Sequence, residues 1–155
     1  MKPPLSTTAI EFVKNMKLGF VATVRPDGRP NLSHKGTLTV FDETHLIFAD
    51  IASPQTITNL AHNRAVVVEV VDPYARRGFR FEGNAQVIPM DEKAKTYASF
   101  YENWGMQEVS TRIRNFVLIE IESYQEVHSP AYRWGSTEPE LRSHWKTYYN
   151  NLWKF

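Results

Sequence analysis

The sequence contains no cysteine, no long apolar run and no excess of charge of one sign. The lack of cysteine excludes disulfide frameworks, thiolate zinc sites, iron–sulfur clusters and cysteine nucleophiles. No stretch approaches the roughly 18 apolar residues of a membrane span, and the N-terminal residues lack the apolar core of a signal peptide. We therefore expect a cytoplasmic protein that acts through oxygen and nitrogen groups or through a bound cofactor.

The charges nearly balance, with 18 basic and 17 acidic residues and a net charge of +1. Because they are interspersed, the sequence has no basic surface typical of nucleic-acid binding. P-loop, HExxH, GxSxG and GxGxxG signatures are missing. The histidines show no spacing typical of metal ligands; they are His34, His45, His62, His128 and His144. We expect no metal, nucleic-acid or membrane partner, and a small molecule as substrate.

Short segments of alternating or β-branched residues, separated by turns, dominate the chain. The 155 residues are 42% hydrophobic, so one domain over residues 1–155 is expected, with 128–155 as a helical extension. The predicted strands cover 18–24, 31–38, 45–50, 65–71, 79–88 and 115–127. Six strands in mostly antiparallel hairpins predict a mainly β fold, a small antiparallel barrel with helices at its rims.

Four helices are predicted around these strands. The first begins at Ser6 or Thr7 and stops at Gly19. The others begin at Ser53, at Asp91 and after a capping-box pattern at 137–140. The third predicted helix runs to Trp104 with Gly105 just beyond it, and the last has the apolar stripe Leu141, Trp145, Tyr148 and Leu152. Residues 65–71 are nearly all apolar, which is typical of a strand covered on both faces, for example by a second subunit.

Two stretches combine groups that favour an anion. In NLSHKGT (31–37), strand alternation places Ser33 and Lys35 on one face. In ADIASPQT (49–56), Ser53 is a predicted N-cap with Pro54 at the first helical position. A lysine beside free N–H groups at a helix start favours a phosphate. The residues alone leave two alternatives open, a solvated strand face and a helix cap with no further role.

Four segments in this order resemble the pyridoxamine 5′-phosphate oxidase-related family of FMN-binding split barrels. They are GFVATVRPDGRPNLSHKGT, LIFADIASPQTITNLAHN, a valine-rich strand and RRGFRFEGNAQVI, and the likeness covers about residues 8–127. The resemblance implies a six-stranded antiparallel split barrel. It also implies a homodimer with FMN in a cleft at the subunit interface.

The resemblance also implies which residues meet the cofactor. On the first strand motif, the positions that line the flavin ring and phosphate are Ser33, His34, Lys35 and Gly36. The family's phosphate-binding turn and helix start correspond to Ala49, Asp50, Ser53, Gln55 and Thr56. Arg77 and Arg80 correspond to a strand that approaches the cofactor, with the partner subunit as one source.

Two departures from the oxidases narrow the expected activity. Pro54 and Gln55 stand where the oxidases carry adjacent basic residues, and SPAYRWGSTE (129–138) replaces their arginine–histidine–arginine substrate signature. Pyridoxamine phosphate oxidation is therefore not expected. The resemblance implies an FMN-dependent oxidoreductase that transfers hydride at the flavin, with Tyr132 and Trp134 as candidates to close the pocket. The alternatives are a non-enzymatic FMN or tetrapyrrole carrier and a cofactor-free dimeric domain.

Overall fold

The computed structural model describes residues 3–102, 104 and 109–154. Over these residues, seven strands form one antiparallel sheet flanked by four α-helices. The strands are β1 (Gly19–Val24), β2 (Pro30–Lys35), β3 (Thr39–Asp42), β4 (His45–Asp50), β5 (Ala65–Asp72), β6 (Arg77–Pro89) and β7 (Asn115–His128). The helices are α1 (Thr7–Met16), α2 (Pro54–His62), α3 (Lys95–Ala98) and α4 (Glu138–Leu152).

The sheet curls into a split barrel. Its strand order is β2-β1-β5-β6-β7-β4-β3, so β2 and β3 lie at opposite edges. A turn at residues 36–38 nevertheless joins these two strands directly. Because that turn can span no more than roughly 14 Å, the two edges must be neighbours in space. The barrel is split between β2 and β3.

The prediction of a mainly β antiparallel barrel with flanking helices is confirmed, and the count of six strands is wrong. The seventh strand is the short β3. Alternation of polar and apolar residues continues from β2 through the turn at 36–38, so the pattern hides the break between the two strands.

The barrel interior is filled from one face of each long strand. On β6 the predicted alternation is confirmed, because Phe79, Phe81 and Ala85 are buried while Glu82 and Gln86 are exposed. Helix α1 closes one end by inserting Ala9 and Val13. Its N-cap is Ser6 and it ends before Gly19, both as predicted; the last helical residue is Met16, because Lys17 adopts a left-handed conformation (φ 51°).

The predicted helix from Asp91 to Trp104 is broken into short turns. Helix α3 has only four residues and is followed by a 3₁₀ turn at Ser99–Tyr101. Tyr101 is buried and its hydroxyl donates to the Thr37 carbonyl, so a tertiary contact outweighs local helix propensity here. Gly105, the predicted end of the helix, lies outside the described residues.

One face of β5 remains uncovered in a single chain. Val66, Val68 and Val70 are buried, but Val67 points outward and is 38% exposed. Val67 and Leu32 are both register partners of Ala22, so they share one row of the outer face. Leu18, Phe20, Leu32 and Val67 are all exposed, and we call these four residues the outer apolar patch. The sequence predicts that both faces of β5 are covered, but the described residues of one chain cover only one of them.

Helix α4 is attached to the turn between β5 and β6 mainly by charged groups. Its capping box at Thr137 and Glu140 is confirmed. Arg142 contacts the buried carboxylate of Asp72 at 2.7 Å, and the Arg76 guanidinium lies 3.6 Å from the ring centre of Trp145. The predicted apolar stripe is partly wrong. Leu141, Trp145 and Tyr149 are the half-buried residues, whereas Tyr148 and Leu152 are exposed.

Candidate functional site

Lys35 lies at the end of β2, beside the barrel split, and is only 5% exposed. Its ammonium donates to the hydroxyls of Ser33 (2.8 Å) and Ser53 (2.6 Å) and lies 5.4 Å from the Phe48 ring centre. The predicted shared face of Ser33 and Lys35 is thus confirmed. Because an ammonium has three N–H donors, one remains available for a ligand among the described contacts.

Asp50 holds the loop that carries Ser53. Its buried carboxylate accepts hydrogen bonds from the Ser53 backbone N–H (2.9 Å) and the Asn115 side-chain amide (2.7 Å). Burial lowers the pKa of Lys35 below its ordinary value of 10.5, and the negative charge of Asp50 acts in the opposite direction. The lysine and the aspartate therefore partly neutralise each other within the site.

The start of α2 has no side-chain cap. Ser53 occupies the N-cap position, but its hydroxyl accepts from Lys35, and no side chain caps the helix. The predicted N-cap position of Ser53 and the predicted place of Pro54 at the start of the helix are confirmed. Pro54 has no N–H, so Gln55 and Thr56 present the first backbone N–H groups of the helix. Such an open helix start favours an anion.

The side chains of Gln55 and Thr56 point away from this opening. The Gln55 amide donates to Asn59 at 2.7 Å, and the buried Asn59 amide donates to Thr23 of β1 at 2.9 Å. Thr56 is itself buried. These contacts anchor α2 on the barrel, so any contribution of the two predicted residues to a ligand comes from their backbone.

A cavity of about 280 Å³ lies at the barrel split. Its lining residues are His34, Lys35, Gly36, Thr37, Ala49, Ile51, Ala52, Ser53, Trp104 and Val109. Five of them were predicted, namely His34, Lys35, Gly36, Ala49 and Ser53. Ser33 and Asp50, which were also predicted, do not line the cavity, but they accept hydrogen bonds from Lys35 and Ser53, which do. Sequence reasoning missed the other five, of which Trp104 and Val109 come from a distant segment whose aromatic content was the only signal.

Arg77 and Arg80 do not reach this cavity within one chain. Asp50 and Pro89 both pair with Asn115, whereas Arg77 pairs with His128 at the other end of β7. The intervening length of β6 is roughly 40 Å at about 3.3 Å per residue. The two arginines instead line an open groove of about 620 Å³.

Two of the three arginines that line that groove have acidic partners. Arg77 contacts Glu126 (3.1 Å) and Glu138 (3.0 Å), and Arg80 contacts Glu69 (2.6 Å). The groove is larger than the cavity at the split, but Arg77 and Arg80 are already paired and the groove is open to solvent. Of the predicted closing residues, Tyr132 lines this groove and bonds the Ala75 carbonyl (2.6 Å), while Trp134 is 83% exposed.

Other classes of site are not found in the part of the chain that the structure describes. No group of three histidine, aspartate or glutamate side chains there could hold a metal ion. No helix among those residues is long and apolar enough to cross a membrane.

The fold is thus an antiparallel split barrel, and the cavity at the barrel split has groups that favour an anion. The sequence profile of the pyridoxamine 5′-phosphate oxidase family matches residues 5–128. The chain therefore belongs to the pyridoxamine 5′-phosphate oxidase family.

Solved structures with the same fold are distant in sequence. HupZ from Group A Streptococcus is 23% identical, with a TM-score of 0.68, and the match covers 81% of this chain and 95% of HupZ. An FMN-binding protein from Syntrophomonas wolfei is 14% identical, with a TM-score of 0.64 and coverage of 79% and 88%. An F420 reductase is 21% identical, with a TM-score of 0.63 and coverage of 78% and 98%. No curated protein gives a significant match.

Proposed function

We propose that this chain is an FMN-dependent oxidoreductase that binds the cofactor phosphate between Lys35 and the start of α2. The observation that carries the proposal is the uncapped helix start beside a buried lysine with one free N–H. Family membership and the FMN-binding relative from S. wolfei support a flavin as the ligand.

The residues around the cavity fit a phosphate, although Pro54 and Gln55 replace the adjacent basic residues of the oxidases. The N–H groups of Gln55 and Thr56 and the Lys35 ammonium are donors on two elements that meet at Ser53. Asp50 offsets part of the lysine charge, so the backbone donors would carry much of the phosphate interaction. His34, Gly36 and Ala49 line the remaining wall, where the flavin ring would lie.

The proposal includes a homodimer that completes the site. A cavity of about 280 Å³ is slightly smaller than a typical ligand pocket of about 300–1,000 Å³. His34 lines the cavity and is also the register partner of Phe20, a member of the outer apolar patch. The cavity therefore opens at the edge of the patch. Arg77, Arg80 and Trp134 do not line the cavity of their own chain, and they are the residues that we expect a second copy to supply.

The chemistry of this reaction would come from the flavin, which accepts or donates a hydride when bound. The chain's own residues would hold and orient it. Lys35 and the helix start fix the phosphate, and the apolar residues Ala49, Ile51 and Val109 exclude water. A protein that binds FMN but turns over no nicotinamide, deazaflavin or amine donor would instead be a carrier, which was the alternative from the sequence.

A test of the cofactor site is available at Gly36. A Cβ built on Gly36 meets no atom within 4 Å, so Gly36→Val should fold normally but fill space that the ligand needs. In a fluorescence titration, we expect saturable FMN binding by the natural chain and binding at least about 10-fold weaker for Gly36→Val, with an unchanged melting temperature.

Thr58→Val, on the exposed side of α2, is the matched control and should bind FMN normally. If the natural chain leaves flavin fluorescence unchanged at all concentrations, the proposed function is wrong. Normal FMN binding by Gly36→Val would show that Gly36 does not line the cofactor site.

A further inference from the structure

Two aromatic side chains from the segment between β6 and β7 bind consecutive carbonyls of the turn at the barrel split. The Tyr101 hydroxyl donates to the Thr37 carbonyl at 3.0 Å, and the Trp104 indole N–H donates to the Gly36 carbonyl at 2.9 Å. Gly36 and Thr37 both line the cavity. The segment is thus attached to the wall of the candidate site itself.

The indole of Trp104 is held in one orientation by three contacts. Besides its hydrogen bond to Gly36, its ring packs on Tyr101 with ring centres 5.1 Å apart. The ammonium of Lys17, just after α1, lies 5.1 Å from the ring centre. Part of the indole lines the cavity, beside Val109. A large flat side chain that is fixed in this way can provide a preformed surface for a flat ligand.

We propose that Trp104 is the wall against which the ring system of the bound cofactor packs. This inference rests on the proposed function, because it assigns the ring-binding surface of the same site. The indole is electron-rich, and an isoalloxazine is an electron-poor flat ring, so the two favour a stacked arrangement.

A stacked indole has a spectroscopic signature that a purely structural tryptophan lacks. An excited flavin takes an electron from an indole in contact with it, and the electron then returns, so the fluorescence is quenched without net chemistry. A tryptophan that only anchors the segment would affect stability and leave the fluorescence decay of bound flavin unchanged.

The experiment compares FMN fluorescence decay and affinity in the natural chain, Trp104→Phe and Trp104→Leu. Trp104→Phe keeps a ring against Tyr101 but removes the electron donor, so it remains informative if Trp104→Leu folds poorly. We expect bound FMN to be quenched at least about 10-fold by the natural chain and to recover most of its fluorescence in both variants. Affinity should fall about 5-fold in Trp104→Leu, within the range of an aromatic pair.

Trp153→Leu, at the exposed end of α4, is the matched control and should match the natural chain in both measurements. Bound FMN with the same decay in the natural chain and both Trp104 variants would overturn this inference while the proposed function stands. Failure of the natural chain to bind FMN would overturn both.

Discussion

Replacing Lys35 with alanine should weaken FMN binding about 100-fold while the barrel stays folded. Hydrogen bonds to charged groups contribute about 1.5–3 kcal/mol, and the Lys35 ammonium is the one lysine or arginine group among the described residues that line the cavity. The fold should tolerate the change, because the lysine is buried against Phe48 and its desolvation cost disappears with it. Isothermal titration with FMN and thermal unfolding measure the two effects separately.

Two further variants make the Lys35 result specific. Lys35→Met keeps the apolar stem and should bind FMN as weakly as Lys35→Ala. Lys146→Ala, on the exposed side of α4, removes an equal charge from a helix that does not line the cavity and should bind normally. Binding of FMN by Lys35→Ala with natural affinity would remove Lys35 from the phosphate site.

The pH dependence of binding has a sign set by the lowered pKa of Lys35. Burial lowers this pKa below 10.5, so the folded protein loses the lysine proton before the unfolded chain does. The contribution of Lys35 to the stability of the cofactor-free protein therefore rises with pH between the lowered pKa and 10.5. Affinity for FMN should fall over the same range, because the neutral amine no longer attracts a phosphate. Lys35→Arg should remove that alkaline decline.

Local patterns predicted much of this site because its key residues are close in sequence. Alternation within one strand placed Ser33 and Lys35 on a common face, and the Ser53-Pro54 pair located the start of α2. Their meeting at one corner followed from the short connections through β3 and β4. Where two residues are close in sequence, secondary-structure propensity and the period of polar and apolar residues suffice to predict that they lie together.

Contacts between distant parts of the chain were not predictable in the same way. Trp104 and Gly36 are 68 residues apart, and their contact depends on how the segment after β6 folds back over the split. The separation of Arg77 from the cavity depends on the length of β6, which only the register with β7 reveals.

Substituting Val67 with glutamate should convert the proposed dimer into a monomer and abolish FMN binding together with it. Val67 is 38% exposed in a single chain, so the isolated subunit accepts the carboxylate without loss of fold. In a dimer the same carboxylate would be buried on the outer apolar patch, close to Glu82, its partner across the strands. An unpaired buried charge costs several kcal/mol, so we expect the dimer dissociation constant to rise at least about 100-fold.

Sedimentation equilibrium and FMN titration at matched protein concentrations test whether the interface and the cofactor site are one unit. Leu152→Glu places the same charge on a more exposed apolar residue of α4, 57% exposed, and should leave both measurements unchanged. A Val67→Glu protein that stays dimeric would show that the patch is not the interface. A monomer with full FMN affinity would show that one chain builds the whole site, so that neither Arg77 nor Arg80 reaches the cofactor from a partner.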